Sequence, residues 1–225
     1  MSRPAEYVDV GYNPITGCDP AFPCWERCWA RRFANRMAAN LTIVEHARYA
    51  DFRPAFWPER LAQPVAWRKP RRIAVAWMGD MWADGVLEVW RTAVKRIMVS
   101  APRHKYLMLT KRPQRAMDSF GGGTFDNWWL GASVSTQADL DARMIPGIRW
   151  LSVEPMLGPV SLRNLSVLPE WIVCGGESGP GARPCDKAWV YDLAVECFKR
   201  GIPFWDKRNV LHGVPKQYPK GLEIG

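Results

Sequence analysis

Short apolar runs recur along the chain at residues 6–10, 73–77, 106–110, 128–133, 149–153, 171–174 and 202–205. Several are apolar on both faces, as in Ile73-Ala-Val-Ala-Trp77 and Trp171-Ile-Val-Cys174. That pattern belongs to strands buried within a parallel sheet. Between the runs the apolar period lengthens to three and four. In residues 84–100, Val86, Trp90, Ala93, Val94 and Ile97 predict one buried helical stripe. In residues 186–200, Trp189, Leu193, Ala194, Cys197 and Phe198 predict a second, with Gly201 as its stop. Thr136 followed three residues later by Asp139 predicts a capped helix start, and residues 24–40 contain neither Pro nor Gly. Alternating strands and helices predict an α/β fold with a parallel sheet. Six or seven such units without a clear eighth predict a partial (β/α) barrel of six to seven parallel strands; an open doubly wound sheet is the alternative. No linker or low-complexity stretch interrupts the pattern, so residues 1–225 are read as one domain.

In both architectures functional groups gather at the C-terminal ends of the strands. The residues that follow the apolar runs are Gly79-Asp80, Lys111-Arg112, Ser133 and Ser135, Glu154, Glu177-Ser178 and Asp206-Lys207. Nearly every strand thus hands over to a polar or charged residue, and these groups are expected to converge on one cavity. Glu154 and Glu177 each follow an apolar strand, where an unpartnered charge is costly. They are the candidates for general acid/base work, with an ion-pair network as the other reading. Lys111-Arg112-Pro113 reads either as an anion-holding pair or as a helix start, since Pro suits the first helical turn. Gly175-Gly176 and Gly179-Pro-Gly181 would let backbone approach a ligand, with a spacing that fits neither a P-loop nor a dinucleotide fingerprint.

With 225 residues, 48% of them hydrophobic, the chain can build a core without disulfide staples. No apolar run approaches the roughly 20 residues of a membrane span, and the N-terminus lacks a signal-peptide pattern. A soluble cytoplasmic protein with no membrane association is expected. Six cysteines in that setting favour metal binding or chemistry over a disulfide framework. The net charge of +9 favours polyanionic partners, so nucleic acid is a candidate. The densest basic cluster, Arg68-Lys-Pro-Arg-Arg72, reads more simply as a solvated loop edge. Thirteen tryptophans include some that could stack bases, although Trp90 and Trp189 lie in core patterns.

Cys18, Cys24 and Cys28 fall within eleven residues directly after the first strand candidate. Gly17, Pro20 and Pro23 suit a loop, residues 13–30, that wraps a metal. Three thiolates there could hold three irons of a 4Fe-4S cubane and leave the fourth open to the amino and carboxylate groups of S-adenosylmethionine (SAM). A structural zinc site would need a fourth ligand, from His46, Cys185 or another distant residue. Simple packing is the third reading. The spacing Cys-x5-Cys-x3-Cys differs from the Cys-x3-Cys-x2-Cys usual in radical SAM enzymes. Cys174 and Cys197 read as core, Cys185 as a loop residue near the proposed mouth, and His46 and His104 as surface or supporting residues.

Six segments carry a resemblance. They are Asn13-Pro-Ile-Thr-Gly-Cys18, Cys28-Trp-Ala, Leu109-Thr-Lys-Arg-Pro113, Gly131-Ala-Ser-Val-Ser135, Leu151-Ser-Val-Glu-Pro-Met-Leu-Gly-Pro159 and Gly175-Gly-Glu-Ser-Gly-Pro-Gly-Ala-Arg-Pro184. By them the chain resembles the phage-associated three-cysteine-motif proteins, a family of unknown function distantly similar to radical SAM enzymes. The resemblance implies a radical-SAM-like barrel with a 4Fe-4S cluster on Cys18, Cys24 and Cys28 and SAM as the second cofactor. It implies that Gly79 and Asp80 meet the SAM amino group. Ser133, Ser135 and Glu154 would meet its ribose or amine, and Lys111 or Arg112 its carboxylate. Asn13, Pro14 and Trp29 would shape the cluster loop. The implied function is radical chemistry on a substrate still to be identified, nucleic acid among the candidates, with a partner protein also conceivable. The alternative is a nucleic-acid-binding module with a structural zinc and no catalysis.

Overall fold

In the computed structural model, residues 5–20, 23–40, 43–121, 125–179, 181–207, 210–211, 214 and 216–224 are described, apart from the side chains of Pro23 and Val44. The chain divides into two compact units, Met1–Met108 and Leu109–Gly225. In the first unit, strands β1 (Val10–Tyr12), β4 (Arg72–Val75) and β5 (Lys105–Thr110, which runs two residues past the unit) pair in parallel. The short strands β2 (Ile15–Thr16) and β3 (Ala55–Phe56) pair antiparallel beside them. Helices α1 (Trp29–Ala38), α2 (Gln63–Ala66) and α3 (Glu88–Ser100) complete this half. In the second unit, β6 (Trp128–Val134), β7 (Trp150–Val153), β8 (Trp171–Cys174) and β9 (Phe204–Asp206) pair in parallel. Helices α4 (Pro113–Phe120), α5 (Gln137–Arg143) and α6 (Lys187–Lys199) alternate with them.

The sheet order is β1-β4-β5-β6-β7-β8-β9. Sheet position therefore follows chain order with no reversal. A doubly wound sheet would reverse at a switch point, so that alternative is excluded. The fold is α/β, with the seven-strand parallel order of a partial β/α barrel. No helix among the described residues is long and apolar enough to cross a membrane.

Several boundaries differ from the sequence expectation for identifiable reasons. β1 begins at Val10 rather than at residue 6, although Tyr7 and Val8 are fully buried; their apolarity reports packing, not pairing. β4 ends at Val75 because Ala76 adopts φ +56°. α3 starts at Glu88, and its fully buried positions are Val94 and Met98, while Trp90 is half-buried and stacks on Phe56 at 5.5 Å. α6 buries Val190, Leu193 and Cys197, so its inner face is rotated from the predicted stripe. Phe198 stands 86% exposed and Trp189 is half-buried. The capped start of α5 is present: Thr136 Oγ1 accepts the Asp139 amide, and Asp139 Oδ2 accepts that of Ser135.

Tryptophan is mainly core material. Trp57, Trp82, Trp128, Trp129, Trp150, Trp171 and Trp205 are all buried. Gly131 is forced by one of them, since a Cβ there would lie 2.3 Å from the Trp150 indole. In the basic cluster, Arg68 and Lys69 are exposed, whereas Arg72 grips Asp9 through Nε, Nη2 and its own amide.

One close approach positions the cysteine loop. Gly17 and Gly79 form a parallel bridge, with Gly17 N donating to Met78 O at 2.9 Å and Asp80 N to Gly17 O at 3.2 Å. A Cβ on Gly79 would sit 2.1 Å from Gly17 O, and one on Gly17, whose φ is +87°, 2.0 Å from Arg53 O. Gly79→Ala is therefore expected to cost about 2–3 kcal/mol, as backbone-directed overpacking does. Gly158→Ala, where a Cβ meets nothing within 4 Å, should change stability by less than about 0.5 kcal/mol; urea titration checks both.

His104 supplies a pH signature. The ring is fully buried and its Nε2 lies 2.9 Å from Pro64 O. Burial pushes its pKa below the ordinary histidine value, and the Arg103 and Arg71 charges add to this. Below the ordinary value the unfolded chain takes up a proton that the folded chain refuses, so stability falls as pH falls. Between neutral pH and about pH 5.5, the urea midpoint should drop, and His104→Asn should flatten that slope.

Candidate functional site

The first unit presents the cysteine loop. Thr16 ends β2, where its Oγ1 accepts the Trp57 indole N–H at 2.8 Å, and the Trp57 amide donates to Pro14 O. Past Gly17, the Cys18 amide donates to Phe52 O at 2.9 Å, and Asp19 Oδ2 accepts the Asp84 amide at 2.7 Å. Asn13 Oδ1 accepts the Met78 amide. The loop is thus stitched to residues 78–84 by the Gly17 backbone, which the glycine pair allows to come so near, and by the Asn13 and Asp19 side chains. Cys24 lies in the 3-10 turn Pro23–Arg27, and Cys28 is the N-cap residue of α1. All three cysteines are half-buried and free of disulfides. Cys18 and Cys28 pack against one apolar cluster made of Ala30, Ala34, Tyr49, Phe52, Trp57 and Met78.

These residues can be tested against an iron site. Three reduced thiols on one short loop are the right donor chemistry, and two of them share a dry wall. Among the described residues, no three His, Cys, Asp or Glu side chains stand grouped as metal ligands, so the thiols are not preassembled. His46 adds a further polar atom, because its Nδ1 is buried and makes no hydrogen bond among the described residues. It faces Tyr49 edge-on at 6.1 Å, and Tyr49 belongs to the cluster that receives Cys18 and Cys28. The donor set fits a metal held by the loop. Asp80, 6% exposed, turns its Oδ1 back to the Trp82 amide at 2.9 Å. Its carboxylate therefore stabilises the turn after Gly79.

The second unit gathers its polar groups by register. Val134, Val153, Cys174 and Asp206 stand side by side as the last residues of β6 to β9. The next residues outward are Ser135, Glu154, Gly175 and Lys207. Glu154 Oε1 pairs with Lys207 Nζ at 2.8 Å, and its Oε2 accepts the Ser152 hydroxyl at 3.0 Å. Lys111 Nζ donates to Ser133 Oγ at 3.1 Å. Arg112 is the N-cap residue of α4, with its amide on Thr110 Oγ1 and Pro113 at the first helical position, so the helix-start reading of Lys111-Arg112-Pro113 holds. Ser135 opens α5 through its backbone. Glu177 is held by Arg183, which donates from Nε at 3.0 Å, Nη2 at 2.9 Å and its amide at 2.8 Å. This clasp ties the glycine-rich turn together.

The remaining cysteines are of another kind. Cys174 and Cys197 are fully buried, as expected of core residues. Burial pushes the Cys174 thiol well above its ordinary value, and the charges of Glu154, Cys185 and Asp206 add to this. Burial raises Cys197 to about 12. Cys185 is raised by burial and then by Asp186 and Asp206. Sequence reasoning did not single out Ser152. The signal was present, because strand periodicity puts residues 152 and 154 on one face. Lys207 was read as a strand-end group, and its pairing with Glu154 is set by the β7-β8-β9 order.

No curated protein and no solved structure gives a significant match to the chain. A family model described as "Protein of unknown function (DUF5131)" matches residues 3–215. The chain belongs to this family of proteins of unknown function.

Proposed function

We propose that the chain is an iron–sulfur enzyme of the radical SAM type, with Cys18, Cys24 and Cys28 holding a 4Fe-4S cluster. The observation that carries this reading is the trio of half-buried thiols, outside any disulfide, on one short loop anchored at the C-terminal end of β1 and β4. Bound there and reduced by an external one-electron donor, a cluster would supply an iron open to SAM and the electron for its reductive cleavage. The chain's own contribution is to hold, shield and orient. The cluster of Phe52, Trp57 and Met78 gives Cys18 and Cys28 an apolar wall on one side. Gly79 lets the cysteine loop close against the strand end, and Asp80 fixes the turn that follows. In the second unit we assign proton transfer to Glu154, whose carboxylate Lys207 and Ser152 hold in place. Lys111, fixed by Ser133, offers a cation to an anionic group of the ligand. Arg112 and Ser135 begin the adjoining helices α4 and α5.

A second reading is a structural zinc held by the same three cysteines with His46 as the fourth ligand. The buried, unbonded Nδ1 of His46 favours it. Anaerobic reconstitution with ferrous iron and sulfide separates the two. The iron–sulfur reading expects about four irons per chain and a visible charge-transfer band. It also expects loss of both in Cys18→Ala, Cys24→Ala or Cys28→Ala, and no effect of Cys185→Ala or His46→Ala. Protein that takes up one zinc and no iron, and loses it in His46→Ala, would overturn the proposal in favour of the second reading.

A further inference from the structure

The outward face of α1 is unlike the rest of the surface. Its inward positions Ala30, Ala34, Met37 and Ala38 lie against the core cluster described above. Trp29, Arg32, Phe33 and Arg36 point away and, spaced i, i+3, i+4 and i+7, make a single stripe. Trp29 is 52% and Phe33 38% exposed, and Arg32 and Arg36 are exposed as well. The Arg36 guanidinium lies over the Phe33 ring at 5.6 Å from its centroid. From Arg27 to Val44 the sequence holds four arginines and no carboxylate. Arg31 is already engaged, with Glu26 at 3.7 Å and the Trp25 ring at 4.8 Å.

We propose that this stripe binds single-stranded nucleic acid, with bases stacked on Trp29 and Phe33 and phosphates on Arg32 and Arg36. Charge complementarity selects the occupant. A second copy of the chain would bring its own four arginines and a net charge of +9 to the contact, and the two would repel. A lipid surface would want the rings on one face and the cations on another, whereas here the two alternate along one line. The rings stand one helical turn apart, roughly 6 Å along the axis, and both are exposed to solvent. A duplex keeps its bases stacked on one another and cannot offer them, so the stripe discriminates for single strands. Arginine adds a planar cation that both pairs with phosphate and stacks. α1 begins at the residue after Cys28, so the stripe deepens the reading of the cysteine loop by naming the substrate class delivered to it.

The test is fluorescence anisotropy of a short labelled oligothymidylate with the full chain at low salt, before any reconstitution. Failure here therefore stays separate from failure of the iron–sulfur reading. Wild type should bind, more tightly to the single strand than to the corresponding duplex. Trp29→Ala and Phe33→Ala should each weaken binding roughly ten-fold. Arg32→Gln/Arg36→Gln should lower the slope of log affinity against log salt by about 1.4. Thermal melting confirms that these surface variants fold. Tyr191→Ala/Phe198→Ala, on the exposed face of α6, should bind as wild type does. The proposal is overturned if wild type fails to bind, or if the α1 variants bind unchanged. It is equally overturned if the α6 variant loses as much as they do, or if phosphatidylserine vesicles are bound in preference to the oligonucleotide.

Discussion

The cysteine loop is held in place by a backbone contact that no side chain could share. Gly17 and Gly79 approach until a Cβ on either would overlap a carbonyl. The contact carries the parallel relation of β1 and β4 beyond the strands themselves. The regular ladder ends at Tyr12 and Val75, the chain swings out at Ala76, and the two segments meet again at the glycine pair. Because the bridge is parallel, the residues after it leave in the same direction. Cys18 and Asp80 are those residues, and that end of the strands is where α/β folds build their sites.

The second unit solves a similar positioning problem with register alone. Parallel pairing in step brings Val134, Val153, Cys174 and Asp206 into one row. Ladder bonds continue past it, through the amides of Glu154, Gly175 and Lys207 onto Val134, Val153 and Cys174 carbonyls. The row fixes the height of the polar groups, and strand periodicity fixes their facing. Glu154 then finds Lys207 two strands away and Ser152 on its own strand. Burying a carboxylate at 15% side-chain exposure requires such partners. This pairing explains why strand ends in an otherwise apolar sheet carry charges of both signs.

Much of this was legible in the chain, and the omissions have physical causes. The apolar runs located six of the seven strands of the parallel sheet, several of them because burial on both faces leaves no polar alternation to confuse the reading; the run at residues 6–10 met β1 only at Val10. Their order along the sheet was legible only as a class, since pairing partners are a tertiary property. The inner face of α6 was read one position off. A helix of mixed apolar residues admits neighbouring faces, and packing chose Val190 over Phe198. At the site, the cysteine loop and the strand-end residues could be named from position alone. The Glu177–Arg183 clasp could not, because a six-residue separation across a glycine-rich turn has no sequence signature. Nor could the glycine bridge, in which each glycine looks like ordinary loop punctuation until the other is beside it.

The six cysteines sort by environment into two chemical classes, and the sorting narrows where a metal could be held. Ligation requires a thiolate or a thiol that loses its proton to the metal at acceptable cost. In the second unit, burial raises Cys174 and Cys197, and neighbouring carboxylates raise Cys174 and Cys185 further. Each of these thiols holds its proton more firmly than a free cysteine does. The loop differs in exposure. Cys18, Cys24 and Cys28 are half-exposed rather than sealed, and the segment from Arg27 to Val44 brings only positive charge. Partial exposure gives iron and sulfide a way in. The proposed metal centre is therefore placed on the loop, and the arginines of that segment make the adjoining helix attractive to a polyanion.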